Sequence, residues 1–135
     1  GSAVIAVREV ADEMVSHLGI ISSELIGEGL HKVTDMVEKP NLVDAPSNLA
    51  IIGRYVLPPD IFNMLEMTPA GANGEIQLTD AISSLLARLG VYAYEFKGTH
   101  FDVGTPVGLL KASVYSALHR AGDVGDLRRW LGQQV

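Results

Sequence analysis

A chain of 135 residues fits a single domain, and with 47 % hydrophobic and 19 % charged residues it carries enough apolar material to bury a core. Its net charge of −6 lacks the basic field that a general nucleic-acid binder needs, and the absence of cysteine excludes disulfides and thiolate metal sites. No apolar run approaches the roughly 20 residues of a membrane span and no signal peptide opens the chain, so a cytoplasmic protein is expected, with neither nucleic acid nor membrane as partner.

The first element is the short, β-branched run Ala3-Val4-Ile5-Ala6-Val7, which reads as a buried strand. Residues 11–17 hold acidic side chains and suit one helical turn. A second strand starts at Gly19-Ile20-Ile21 and fades near Glu24, with a strand end and turn over Leu25 to Gly29. From Lys32 to Glu38 polar and apolar residues alternate. Strict alternation places Val33, Asp35 and Val37 on one face, and Lys32, Thr34, Met36 and Glu38 on the other. Pro40, which has no ladder donor, ends that strand. A loop follows to Ser47, then an apolar strand over Asn48 to Leu57.

Pro58-Pro59-Asp60 opens a short helix, since proline suits the first helical turn; Ile61, Phe62 and Leu65 are expected inward. A Gly- and Pro-containing loop spans Thr68 to Gly74. The next helix is capped by Thr79, carries Asp80 in its first turn and stops at Gly90. Its Ile82, Leu85, Leu86 and Leu89 fall on one stripe. Val91 to Phe96 forms a further strand. After a tight connection at Phe101 to Gly104, Thr105 caps a helix that starts at Pro106 and runs to about His119, with Val107, Leu110, Val114 and Leu118 inward. A last helix over about 124–132 sets Val124, Leu127 and Leu131 on one side, with Trp130 beside them. The alternation of strands and helices, without strict βαβ units, predicts an α/β domain with a mixed sheet.

Four stretches bear chemistry. Val37-Glu38-Lys39-Pro40 sets an acid beside a base at a strand end. A carboxylate there accepts sugar hydroxyls and an ammonium holds a phosphate as a point charge; equally, the two could be a solvated pair. Asp102, in Phe101-Asp102-Val103-Gly104-Thr105-Pro106, stands just before a helix N-terminus, where it can ligate Mg²⁺ or simply close the turn. Asn48 can offer hydrogen bonds to a ligand or lock a turn through its own backbone. In Gly74-Glu75-Ile76-Gln77-Leu78-Thr79-Asp80, Glu75 and Asp80 are candidates for a cleft wall, and capping is the safer assignment for Thr79 and Asp80. Other patterns fail. Gly27-Glu28-Gly29 is no phosphate-binding fingerprint, there is no Walker sequence, and His17, His31, His100 and His119 form no metal-binding pair. These histidines read as surface or satisfied core residues.

Three runs in order, Val37 to Pro40, Ala45-Pro46-Ser47-Asn48-Leu49-Ala50-Ile51-Ile52-Gly53-Arg54-Tyr55-Val56-Leu57, and Glu75-Ile76-Gln77-Leu78-Thr79-Asp80-Ala81-Ile82, closely resemble bacterial UTP–glucose-1-phosphate uridylyltransferases. The similarity covers about residues 3 to 120. Phe101 to Pro106 resembles the wider sugar-nucleotidyltransferase superfamily, thymidylyltransferases included. The resemblance implies the C-terminal part of a Rossmann-like (GT-A-like) nucleotidyltransferase domain, spanning residues 1–135 without the family's N-terminal half. It also implies uridylyl transfer from UTP to glucose 1-phosphate, giving UDP-glucose and pyrophosphate with Mg²⁺ as cofactor. By the same resemblance Glu38 binds glucose hydroxyls, and Lys39 binds the sugar phosphate and is the catalytic residue. Gly19 makes a backbone contact near the sugar, Asn48 and Ala50 to Gly53 line the pocket, and Asp102 is a metal ligand.

The sequence departs from the family at Leu18, where an aromatic residue is usual. It also contains no Gly-rich triphosphate loop, no first metal aspartate and no base-reading residues. The chain alone is therefore expected to be inactive, with an incomplete central sheet. It would pair with the family's N-terminal half or with copies of itself. The alternative is a non-catalytic module that self-associates or docks through an exposed sheet edge and the helix around Trp130.

Overall fold

Ala3, Ile5 and Val7 are buried alternately along β1 (Ala3–Glu9), as expected of a strand with one face in the core. In this computed structural model residues 1–71, 74–120 and 125–134 are described. A single turn, α1 (Asp12–Val15), leads to β2 (Gly19–Gly27) and β3 (Leu30–Glu38). These two strands form a hairpin whose turn places Gly29 at φ 62°, a left-handed conformation that costs glycine nothing. A short 3₁₀ turn (Leu42–Asp44) precedes β4 (Leu49–Val56). Then come α2 (Asp60–Met67), α3 (Leu78–Leu85) and β5 (Val91–Glu95).

The mixed α/β sheet predicted from the sequence is present, but its strands close into a ring in the order β1-β4-β2-β3-β5. Only the β1–β5 contact is parallel; the others are antiparallel. Each of the five strands thus has a neighbour on both sides, so the open edge expected of an incomplete sheet is not found among the described residues. The reason is topological: β1 lies between β4 and β5, and the β2–β3 hairpin bridges the remaining gap.

The chain divides into two compact units, residues 1–97 and 98–135. The first holds the main core, in which Ile5, Val7, Ile21, Val33, Met36 and Ile51 from the strands meet Ile61 and Met64 of α2 and Ala81, Ile82 and Leu85 of α3. A smaller cluster joins Val15, Ile20 and Ala50. His31 is a satisfied core histidine, as its class predicts. Its Nε2 donates to Glu95 Oε1 at 2.6 Å, and its Nδ1 lies 3.2 Å from Ser23 Oγ, tying β2, β3 and β5 together. The second unit contains α4 (Pro106–Arg120) and α5 (Gly125–Gly132). Thr105 caps α4 as expected, its Oγ1 accepting the Gly108 N–H at 3.1 Å. Val107 and Leu110 are nevertheless exposed, and only Val114 and Leu118 of the expected inner face are half-buried. Leu127 and Leu131 share the half-buried side of α5, Trp130 is exposed, and Val124 lies outside the described residues.

Three further expectations are corrected. In β3 strict alternation fails: Val33 is buried, but Asp35 and Val37 face outward and Met36 turns inward. Ser22 pairs with Asp35 while Ser23 pairs with Val33, so Thr34 is an extra residue, and this bulge reverses the faces that follow it. In α2, Phe62 is 68 % exposed and Met64 takes the inward place, because Ile61 and Met64 are spaced three apart on the stripe facing the core. Helix α3 ends at Leu85 instead of Gly90, with Leu86 and Leu89 packing against the core from the turn beyond it.

The reassigned α2 face is directly testable by urea denaturation. Met64→Ala should lower stability by about 2–5 kcal/mol through cavity formation. Phe62→Ala should change it by no more than about 0.5 kcal/mol, as for an ordinary surface substitution.

Candidate functional site

The last residue of β3, Glu38, pairs across the hairpin with the first residue of β2, Gly19. Side chains of directly opposed residues share one face, and the bulge at Thr34 has already turned that face toward the core and α3. Glu38 therefore lies at the rim of the core. Its Oε2 accepts a hydrogen bond of 2.6 Å from the hydroxyl of Thr79, in the first turn of α3. Thr79 does not cap its helix: α3 begins at Leu78 after Gln77, and no side chain caps it. The hydroxyl that the sequence reading assigned to capping is spent on Glu38.

Lys39 follows with φ 47°, the one non-glycine residue in the left-handed region among those described. That conformation costs an L-residue roughly 1–2 kcal/mol, and the following Pro40 restricts the backbone of residue 39 further. Its N–H still donates to Leu18 O at 3.1 Å, so the strand contact persists one residue past Glu38 while the chain turns. In a regular strand the two side chains would point to opposite faces. Here Lys39 Nζ stands 3.8 Å from Glu38 Oε1. At that distance, with the lysine half-exposed, the pair contributes little to stability, and the ammonium is available to another anion.

Tyr55 of β4 lies within electrostatic reach of Glu38. Burial, and then the negative charge of Glu38, raise its phenol above the ordinary value, so it is a neutral hydroxyl at pH 7. Ile51 reaches the Gly19 corner: its Cδ1 is 3.1 Å from where a Cβ on Gly19 would lie. Sequence reading did not single out Tyr55 or Thr79 as site residues. An aromatic on a strand reads first as packing and a threonine before a helix reads first as a cap, so only the three-dimensional neighbourhood of Glu38 reveals them.

The remaining sequence candidates are placed differently. Asn48 Nδ2 donates to Val10 O at 3.1 Å and to Asp12 Oδ1 at 2.6 Å, which uses both amide hydrogens to clasp the segment between β1 and α1. Ala50 is fully buried in the cluster with Val15 and Ile20, whereas its neighbour Ile51 presents its side chain to the Gly19 corner. Asp102 belongs to the second unit. Its Oδ1 accepts the Gly104 N–H at 2.9 Å, which closes the turn before α4. A single exposed carboxylate suits Mg²⁺, which takes one or two carboxylates and completes its shell with water and substrate phosphates. Among the described residues no cluster of three or more acidic or histidine side chains could hold a metal on its own. No helix among them is long and apolar enough to cross a membrane.

Residues 2–117 match the family model described as nucleotidyl transferase. A UTP–glucose-1-phosphate uridylyltransferase from Pseudomonas aeruginosa is 45 % identical over 121 residues, 88 % of this chain and 43 % of that protein. One from Streptococcus pyogenes is 47 % identical over 133 residues, 98 % of this chain and 44 % of that protein. A crystal structure of UDP-glucose pyrophosphorylase complexed with UDP-glucose superposes with a TM-score of 0.82 at 48 % identity, over 88 % of this chain and 45 % of that one. The chain thus spans less than half the length of the relatives it matches.

If the backbone at residue 39 is strained for the sake of its side chain, removing that side chain should not harm the fold. Lys39→Gly is expected to keep denaturant stability within about 1 kcal/mol of the parent, relief of strain offsetting the added chain entropy. Lys39→Val, β-branched at positive φ, should lose about 1–3 kcal/mol in the same measurement.

Proposed function

The chain belongs to the nucleotidyl transferase family, and on that premise we propose that it supplies the sugar-phosphate side of the site in a UTP–glucose-1-phosphate uridylyltransferase. The observation that carries this reading is the pairing of Glu38 and Lys39 at one strand end, turned to the same side by the left-handed backbone at Lys39. The carboxylate, held by Thr79, is an acceptor for glucose hydroxyls. The ammonium is a point charge for the phosphate on C1. Tyr55 adds a neutral hydroxyl within the electrostatic reach of Glu38.

In the proposed reaction a phosphate oxygen of glucose 1-phosphate attacks the α-phosphorus of UTP. A new P–O bond forms, and the bond to the departing pyrophosphate breaks. No covalent intermediate on the protein is required, so the work of these residues is positioning and charge compensation. Lys39 orients the attacking phosphate and offsets its charge. Glu38 fixes the sugar ring behind it. Asp102 would hold Mg²⁺, which supplies charge neutralisation of the phosphates when bound. Uridine as the base comes from the names of the relatives, since these 135 residues contain no base-reading group of the family pattern.

Calorimetric titration of the purified 135-residue chain with glucose 1-phosphate should show saturable binding. Lys39→Ala should weaken it about tenfold or more, and Glu38→Gln should weaken it while raising the affinity for inorganic phosphate, because a like charge beside the ammonium is removed. Absence of saturable binding, or binding indifferent to both substitutions, would remove the basis for this assignment. With UTP, glucose 1-phosphate and Mg²⁺ together, the chain alone should form no UDP-glucose; clear product would show that it supplies more than the sugar side.

A further inference from the structure

Gly19 is buried, and its backbone does not require glycine, since its φ is not left-handed. Space requires it. A Cβ at position 19 would stand 3.0 Å from Glu38 Oε2, 3.1 Å from Thr79 Oγ1 and 3.1 Å from Ile51 Cδ1. Three side chains from β3, α3 and β4 therefore converge on the place where a side chain is missing. Two of them are joined there by the 2.6 Å hydrogen bond from Thr79 to Glu38. Thr79 is only 6 % exposed, so water does not readily replace its partner. The two oxygens of Glu38 are consequently unequal. Oε2 is bound inward by Thr79, while Oε1 points toward the Lys39 ammonium, 3.8 Å away.

We propose that Thr79 is a positioning residue for sugar recognition. By anchoring Oε2 it fixes the rotamer of Glu38 and presents Oε1 to the hydroxyls of a hexose phosphate, and the bare Cα of Gly19 provides the room for that anchor. This rests on the reading of Glu38 as the sugar acceptor and adds the element that holds it. A carboxylate on a freely rotating side chain accepts hydroxyls in many directions and loses rotamer freedom on binding; one already hydrogen-bonded on its inner oxygen does not. Because Thr79 acts only through Glu38, its effect belongs to the sugar and not to the phosphate.

The test is calorimetric titration of the 135-residue chain with glucose 1-phosphate and, separately, with inorganic phosphate, and the thermal unfolding midpoint of each variant is recorded alongside. Thr79→Val, which keeps the shape and removes the hydroxyl, should weaken glucose 1-phosphate binding about tenfold and leave phosphate binding unchanged. Thr79→Ser should restore the parent affinity within about twofold. Gly19→Ala, which wedges a methyl between the partners, should show the same sugar-specific loss. Parent-like sugar binding by Thr79→Val, equal losses for both ligands, or failure of Thr79→Ser to restore affinity would each overturn the inference while leaving the function of Glu38 standing. If the parent chain binds phosphate but not the phosphorylated sugar any better, the reading of Glu38 falls, and this inference with it.

Discussion

The register between β2 and β3 decides what this molecule can present to a ligand. One extra residue, Thr34, separates the pairs Ser22–Asp35 and Ser23–Val33. Because side chains alternate with a period of two, a single inserted residue reverses every face beyond it. Without it Glu38 would share the outward face of Lys32 and Thr34, away from α3. With it, Glu38 lies over Gly19 on the core side and meets Thr79. A charged side chain at the rim of an apolar core needs a partner for its inward oxygen. Thr79 provides it, and the outward oxygen is left for another donor.

The next residue solves a different geometric problem. A strand delivers consecutive side chains to opposite sides, yet recognition of a phosphorylated sugar calls for an acceptor and a cation on the same side. The positive φ of Lys39 leaves its ammonium 3.8 Å from the Glu38 carboxylate, at the cost of backbone strain. The resulting ion pair is long and half-exposed, so it contributes too little to stability to explain why the strained turn is kept. The strain and the weak pairing together point to a lysine placed for something other than the fold.

Much of this was visible in the sequence where the physical cause is local. The hairpin turn at Gly29, the cap at Thr105, the strand end before Pro40 and the adjacency of Glu38 and Lys39 each follow from one or two residues and their intrinsic geometry. What the sequence hid has non-local causes. The position of a bulge depends on which cross-strand partner wins, and alternation from Lys32 to Glu38 contains no mark of it. Phe62 and Met64 both suit an inner helix face, and only the direction from which the sheet approaches α2 selects Met64. Thr79 satisfies the local pattern of a helix cap, but a half-buried carboxylate 41 positions earlier competes for the same hydroxyl and wins. Asn48 reads as a ligand donor or as the lock of a turn through its own backbone; its amide instead donates to Val10 O and Asp12 Oδ1, 38 and 36 positions earlier, which no local pattern marks.

Electrostatics on the scale of the whole chain bears on how such a site must work. A net charge of −6 repels a phosphorylated sugar at long range. Whatever affinity the site has must therefore come from contacts inside a Debye length, roughly 10 Å, where one ammonium and a few directed hydrogen bonds outweigh the general field. One lysine is a poor discriminator, since it attracts any phosphate as a point charge. On the proposed reading, selectivity for the sugar would fall to the carboxylate beside it, which gains nothing from a bare phosphate and is repelled by it. On that reading the like charge of Glu38 would lower the affinity for simple phosphates, and hydroxyl hydrogen bonds would recover it only for ligands that carry a ring in the right place. An acid beside a base, held in one orientation from behind, is in this sense a filter against the small anions that a lone cation would collect.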